Sequence, residues 1–177
     1  MTALKEWESF YVIVGSSGGA LIGLQFVVIT LIADRRNGPT AGTLSAFGTP
    51  TVVHFVGALL VSAIMSIPWP SVASLSIVLG LCGLGGLIYG AFVIRRARHQ
   101  KGYEPVWEDW IWYAVLPCLS YATLTATASL LHGHEQMALF VIGLVALALL
   151  LIGIHNAWDA VTHIVVSGAN HAETKTD

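Results

Sequence analysis

Long apolar runs separated by short polar joints dominate this chain. The first run extends from Phe10 to Ala33 and is interrupted only by small residues and Gln25; the second, Thr51 to Ile67, stops at Pro68 and Pro70. The third covers Ser71 to Ile94, the fourth Glu108 to Leu131 and the fifth Gln136 to Val166. Each is about as long as the roughly 20 residues that carry a helix across a bilayer, the second being the shortest. Backbone amides and carbonyls find no water inside lipid, so every run is expected to be helical. The pattern predicts an all-α integral membrane protein of five transmembrane helices, one domain over residues 1–177. The joint Ser66-Ile67-Pro68-Trp69-Pro70 allows only a tight hairpin. A re-entrant or interfacial pair is the alternative to two full crossings there.

Composition agrees with this pattern: 55% of residues are hydrophobic and 10% charged, against roughly 25% charged in an average soluble domain. The net charge of −2 gives no electrostatic footprint for nucleic acid. Lys5 is followed by Glu6 and Glu8, with no short apolar segment and cleavage site. The first run is therefore expected to remain as a helix rather than be removed as a signal peptide. Cys82 and Cys118 lie inside apolar runs and read as two buried thiols, a disulfide being the alternative if their helices touch, with no zinc-ligand spacing.

The distribution of charge orients the chain. Arg35, Arg36, Arg95, Arg96, Arg98, Lys101 and Lys175 fall in the joints and tail of one side, whereas the other side has only Lys5. Cytoplasmic loops carry the Lys and Arg excess, which predicts an outside N-terminus and a cytoplasmic C-terminus. Tryptophans near the run boundaries, including Trp7, Trp69, Trp107, Trp110, Trp112 and Trp158, suit the interfacial level where amphipathic rings anchor.

Two glycine stripes suggest how the helices pack. Gly15, Gly19 and Gly23 recur every four residues in the first run, and Gly83, Gly86 and Gly90 repeat the theme in the third. Small residues at such spacing let a neighbouring backbone approach closely, within the chain or from another subunit. In the fourth run Ser120, Thr123 and Thr127 follow one face, with Tyr113 and Pro117 below them. Pro117 has no amide hydrogen for the Tyr113 carbonyl, which predicts a kink. The hydroxyl face either lines a hydrated path, which Gln25 could meet, or bonds to its own helix backbone.

Topology then brings polar residues together. His54 lies about one turn inside the second run, with Thr49 and Pro50 as its expected start; Glu108 and Asp109 open the fourth run. His155, Asp159 and His163 are spaced i, i+4, i+8 at the end of the fifth, with Asn156 among them, so the three share a helix face. From Gln136 to His155 the rise is about 28 Å, close to the hydrocarbon thickness. All these groups are thus expected at the cytoplasmic level. They suit a cation or proton site, a divalent transition-metal centre or a structural polar cap. Haem held by His54 and His155 is disfavoured because no attachment motif is present.

The segments FYVIVGSSGGALIGLQFVVITL, TPTVVHF, WEDW and GIHNAWD resemble those of small bacterial multi-pass inner-membrane proteins, some of which carry a default label as modulators of the FtsH membrane protease. The resemblance implies a bacterial inner-membrane location and transfers no catalytic residue. The functional expectation is a small transport or channel-like protein, homo-oligomeric or part of a larger membrane complex, with a cytoplasm-facing His/Asp site. Two alternatives stay open: a membrane-embedded metalloenzyme acting on a lipid or hydrophobic substrate, and an accessory subunit.

Overall fold

The computed structural model describes residues 2–33, 41–98 and 107–173. Side-chain placement is described for residues 4–31, 51–96, 98, 107, 108 and 110–162. The described elements are all helical: α1 (Thr2–Glu6), α2 (Glu8–Ala33), α3 (Ala41–Ser66), α4 (Val72–Arg98), α5 (Trp107–Trp110), a π-helical turn (Ile111–Val115), α6 (Leu116–Leu130) and α7 (Glu135–Glu173). Four stretches are long and apolar enough to cross a membrane: Glu8–Leu31, Val72–Arg96, Ile111–Leu130 and Glu135–Thr162. The apolar stretch of α3, Thr51–Ser66, is shorter. The second run therefore does not match the other four in apolar length, although α3 as a whole has 26 residues. Thr49 and Pro50 do not mark its start, because α3 begins at Ala41.

α3 and α7 form the centre. α3 packs mainly on α2 and α7, while α4 packs on α6, and α6 closes the ring against α7. The core between them includes Tyr11, Phe55, Val61, Leu79, Leu124, Ile142 and Leu149. The outward faces remain apolar: Ile13, Leu31, Ile77, Ile88, Phe92 and Met137 are all well over half exposed. Water-soluble monomers rarely leave so much apolar surface uncovered.

Turns and ends are fixed by local chemistry. The Trp69 indole donates to the Ile64 carbonyl at 2.7 Å, tying the prolines of the α3–α4 joint back onto α3. Ser71 Oγ accepts the Ser74 amide at 3.2 Å, an N-cap that starts α4. Glu135 sits in the first turn of α7, where a carboxylate suits the helix dipole. Trp7 is half-buried: its ring meets Phe10, Tyr11 and Phe140, and a Cβ at Gly143 would lie 2.7 Å from it.

The glycine contact on α2 differs from the predicted stripe. A Cβ at Gly15 would come within 3.0 Å of Ser62 Cβ, and one at Gly18 within 3.2 Å of the Phe55 carbonyl oxygen. Gly19 and Gly23 meet nothing within 4 Å. An i, i+3 pair, not the i, i+4 repeat, therefore faces α3. Gly18→Leu is expected to lower stability by about 1–3 kcal/mol through overpacking. Gly19→Leu should leave the isolated chain within about 0.5 kcal/mol of the parent. Thermal unfolding of the two purified variants in one detergent checks the contrast.

Candidate functional site

The polar end of the bundle is built where α5, the π-helical turn and the start of α6 meet the second half of α7. Pro117 lies in the first turn of α6 and cannot donate an amide hydrogen. The distortion expected at this proline takes the form of the π-helical turn: the Leu116 amide donates to the Ile111 carbonyl, five residues back. A π turn inserts one residue into the α-helical register, so the side chains before it are re-aimed relative to those after it. Trp112 and Tyr113, within the turn, reach α7.

The Trp112 ring lies flat on His155, with centroids 3.7 Å apart and planes 7° from parallel. Tyr113 donates its hydroxyl to Asp159 Oδ2 at 3.2 Å, with the Asn156 carbonyl oxygen 3.4 Å away. Thr162 Oγ1 bonds to the Trp158 and Asp159 carbonyls, each at 3.0 Å, and so stays with its own helix. His155 and Asp159, spaced for one helix face, thus both meet the π-helical turn. Asp159 is half-buried, and one of its carboxylate oxygens accepts the phenol. Nearby, the Arg98 guanidinium lies 6.0 Å from the Trp110 ring centroid, bringing the end of α4 to this same end of the bundle.

A second polar pair lies deeper. His54 is 2% exposed, and its Nδ1 is 3.5 Å from the Tyr121 hydroxyl, a long contact at the limit of hydrogen bonding. Tyr121 belongs to α6 but crosses the interior. Its ring fills the place a Cβ would take at Gly86 of α4, and its hydroxyl would be 2.7 Å from a Cβ at Gly57 of α3. Glycine on both neighbours is what lets a phenol on one helix reach a histidine on another.

Asn156 is 0% exposed. Its side-chain nitrogen and oxygen, and His155 Nδ1, are buried atoms without a protein hydrogen-bond partner. Buried polar groups are nearly always bonded. The backbone of α7 places Asn156 one turn past Gly153, where the Phe55 ring fills the space of the missing side chain.

The other predicted residues are distributed as follows. Glu108 is exposed at the start of α5, and the side chains of Asp109 and His163 lie outside the described residues. Gln25 is 6% exposed, on a helix that packs mainly on α3 and α7. Ser120 is buried and donates to the Leu116 carbonyl at 2.9 Å, which is the backbone-bonded alternative. Thr127 is buried and Thr123 half-buried. Among the glycines of α4, Gly83 and Gly86 meet Thr125 and Tyr121, and Gly90 meets Cys118 Sγ. Among the described residues no three His, Cys, Asp or Glu side chains are grouped to hold a metal. An open cleft of about 450 Å³ at the opposite end is lined by residues including Lys5, Glu8, Met65 and Trp69, and contributes no histidine.

Sequence reasoning missed Trp112 as a partner of His155, and Tyr121 altogether. A lone tyrosine in mid-run, eight residues beyond Tyr113 on a helix with a nearby proline, was the available signal. The chain matches no family model, no curated protein and no solved structure.

Proposed function

We propose that this chain is a bacterial inner-membrane protein of five spans, with the N-terminus outside and the C-terminus in the cytoplasm, that moves a proton or small cation through a His/Asp site at its cytoplasmic end. The observation that carries the reading is the Tyr113–Asp159 contact at 3.2 Å beside the His155–Trp112 stack. Ionisable groups at the end of a spanning helix are costly unless they serve a path or a partner. A carboxylate that accepts one phenol on a half-buried residue can take a proton or cation from the aqueous side. The apolar outward faces of α2 and α4 support the membrane location. Arg95, Arg96 and Arg98 in the last turn of α4, with the arginines and lysines of the other joints, support the orientation. The bacterial assignment rests on the sequence resemblance. A Cβ at Gly19 or Gly23 would meet nothing within 4 Å, which leaves a face of α2 open for a second copy or a larger complex. The metalloenzyme reading draws less support, since no three ligand-type side chains gather among the described residues.

The test is flux in proteoliposomes, read with a trapped pH dye and, separately, with imposed sodium and potassium gradients. Tyr113→Phe and Asp159→Asn are each expected to slow flux about tenfold, the effect of losing a hydrogen bond to a charged group. Rates equal to those of the parent protein in both variants would overturn the proposal.

A further inference from the structure

The two polar pairs described above are separate in their direct contacts: His54 with Tyr121, and Tyr113 with Asp159. Along the bundle axis Asn156 lies between their levels. α3 and α7 run antiparallel, since Phe55 meets Gly153 while Gly57, further along α3, meets Leu149. His54 therefore sits beside the level of Gly153 and Ile154, and Asn156 is about two residues, roughly 3 Å, further along the axis. Asp159 is one more turn on. The Asn156 carbonyl oxygen is already 3.4 Å from the Tyr113 hydroxyl. Its side chain is fully buried, and both the amide nitrogen and oxygen lack a protein partner. A side chain that is at once a donor and an acceptor, closed off from solvent, needs a guest with the same dual capacity.

We infer that Asn156 holds a buried water molecule in the seam of α3, α6 and α7, and that this water joins the His54–Tyr121 pair to the Tyr113–Asp159 pair in one hydrogen-bonded chain. Water is the guest of the right chemistry. It donates and accepts, and a buried water typically makes about three hydrogen bonds to groups otherwise left unpaired. Asn156 supplies two of these, one from its amide nitrogen and one to its amide oxygen. The titratable groups facing the seam are His54 from α3, Tyr121 from α6, Tyr113 from the π-helical turn, and Asp159 and His155 from α7. This inference deepens the proposed function and rests on it only for its purpose; the water site itself stands on geometry and can be tested without any flux.

The experiment is radiolytic hydroxyl labelling of the purified full chain, read by mass spectrometry, together with thermal unfolding. Bound water generates radicals in place, so His54 and Tyr121 are expected to be modified several-fold faster than the similarly buried Leu149 once each rate is divided by that side chain's intrinsic reactivity toward hydroxyl radical. Asn156→Leu, close in size and apolar, should reduce that labelling several-fold and lower the unfolding temperature, because the remaining partners of the water lose it. Wild-type His54 and Tyr121 labelled no faster than Leu149 on that corrected scale would overturn the inference, whether or not the variant folds. So would a higher unfolding temperature in Asn156→Leu, the result expected if the amide is a dry, unpaired group whose removal relieves a cost. Flux defects in Asp159→Asn with unlabelled His54 and Tyr121 would sink the water site and leave the proposed function standing.

Discussion

Gly86→Val is expected to lose about 3 kcal/mol or more of stability and to yield little folded protein, whereas Gly85→Val, one residue away, should behave as the parent. The ring of Tyr121 occupies the volume that a side chain at Gly86 would need, and a Cβ at Gly85 meets nothing within 4 Å. Overpacking of a well-filled interior ordinarily costs about 1–3 kcal/mol, more where the obstacle cannot turn aside. Tyr121 cannot, because its far end is held at Gly57 of α3. Truncating the obstacle should therefore rescue the variant: Gly86→Val with Tyr121→Ala should be more stable than Gly86→Val alone. Non-additivity of this sign is the mark of two residues in direct contact. Denaturant titration of the four proteins in one detergent provides the readout. Additive losses would place the damage elsewhere than at this contact.

The second large effect is at the α3–α7 seam. Phe55 is 1% exposed, and its ring takes the space left by the absent side chain of Gly153. Phe55→Ala is expected to cost about 2–3 kcal/mol. That is less than the roughly 3–5 kcal/mol typical of water-soluble cores, because lipid chains are as apolar as the ring removed and only packing is lost. Adding bulk on the facing helix, as Phe55→Ala with Gly153→Leu, should recover part of the loss. Unfolding curves of the single and double variants decide it, and a double variant worse than the single would show that the ring and the glycine are not partners.

Much of the helical architecture was legible as hydrophobic runs. The runs beginning at Phe10, Ser71, Glu108 and Gln136 fall on α2, α4, α5–α6 and α7, because apolar length alone decides where a helix can be long and lipid-compatible. The start of α3 was not legible. Thr49 and Pro50 have the chemistry of a helix start, but the helix extends back to Ala41, and a proline in a helix interior is tolerated where neighbours resatisfy the backbone. The glycine stripe illustrates a different limit. Spacing predicted Gly15, Gly19 and Gly23 as one face, yet the contact selects Gly15 and Gly18, since the crossing geometry of two helices determines which ridge meets which groove. The candidate site was legible at the level of residues but not of partners. His155, Asn156 and Asp159 stand out as polar groups ending an apolar helix. Their contacts with Trp112 and Tyr113 depend on the π-helical turn, which shifts the register ahead of Pro117 and which no periodicity announces.

α7 runs without a break over 39 residues, about 58 Å at the usual rise and nearly twice the roughly 30 Å of a bilayer's hydrocarbon layer. One rod thus carries the buried contacts of Ile142 and Leu149, the polar groups from His155 to Asp159, and a further stretch that outreaches them. With no joint to absorb it, a tilt or torque on the outlying third is delivered to Asn156 and Asp159 as a displacement. Leverage is therefore inherent in this helix.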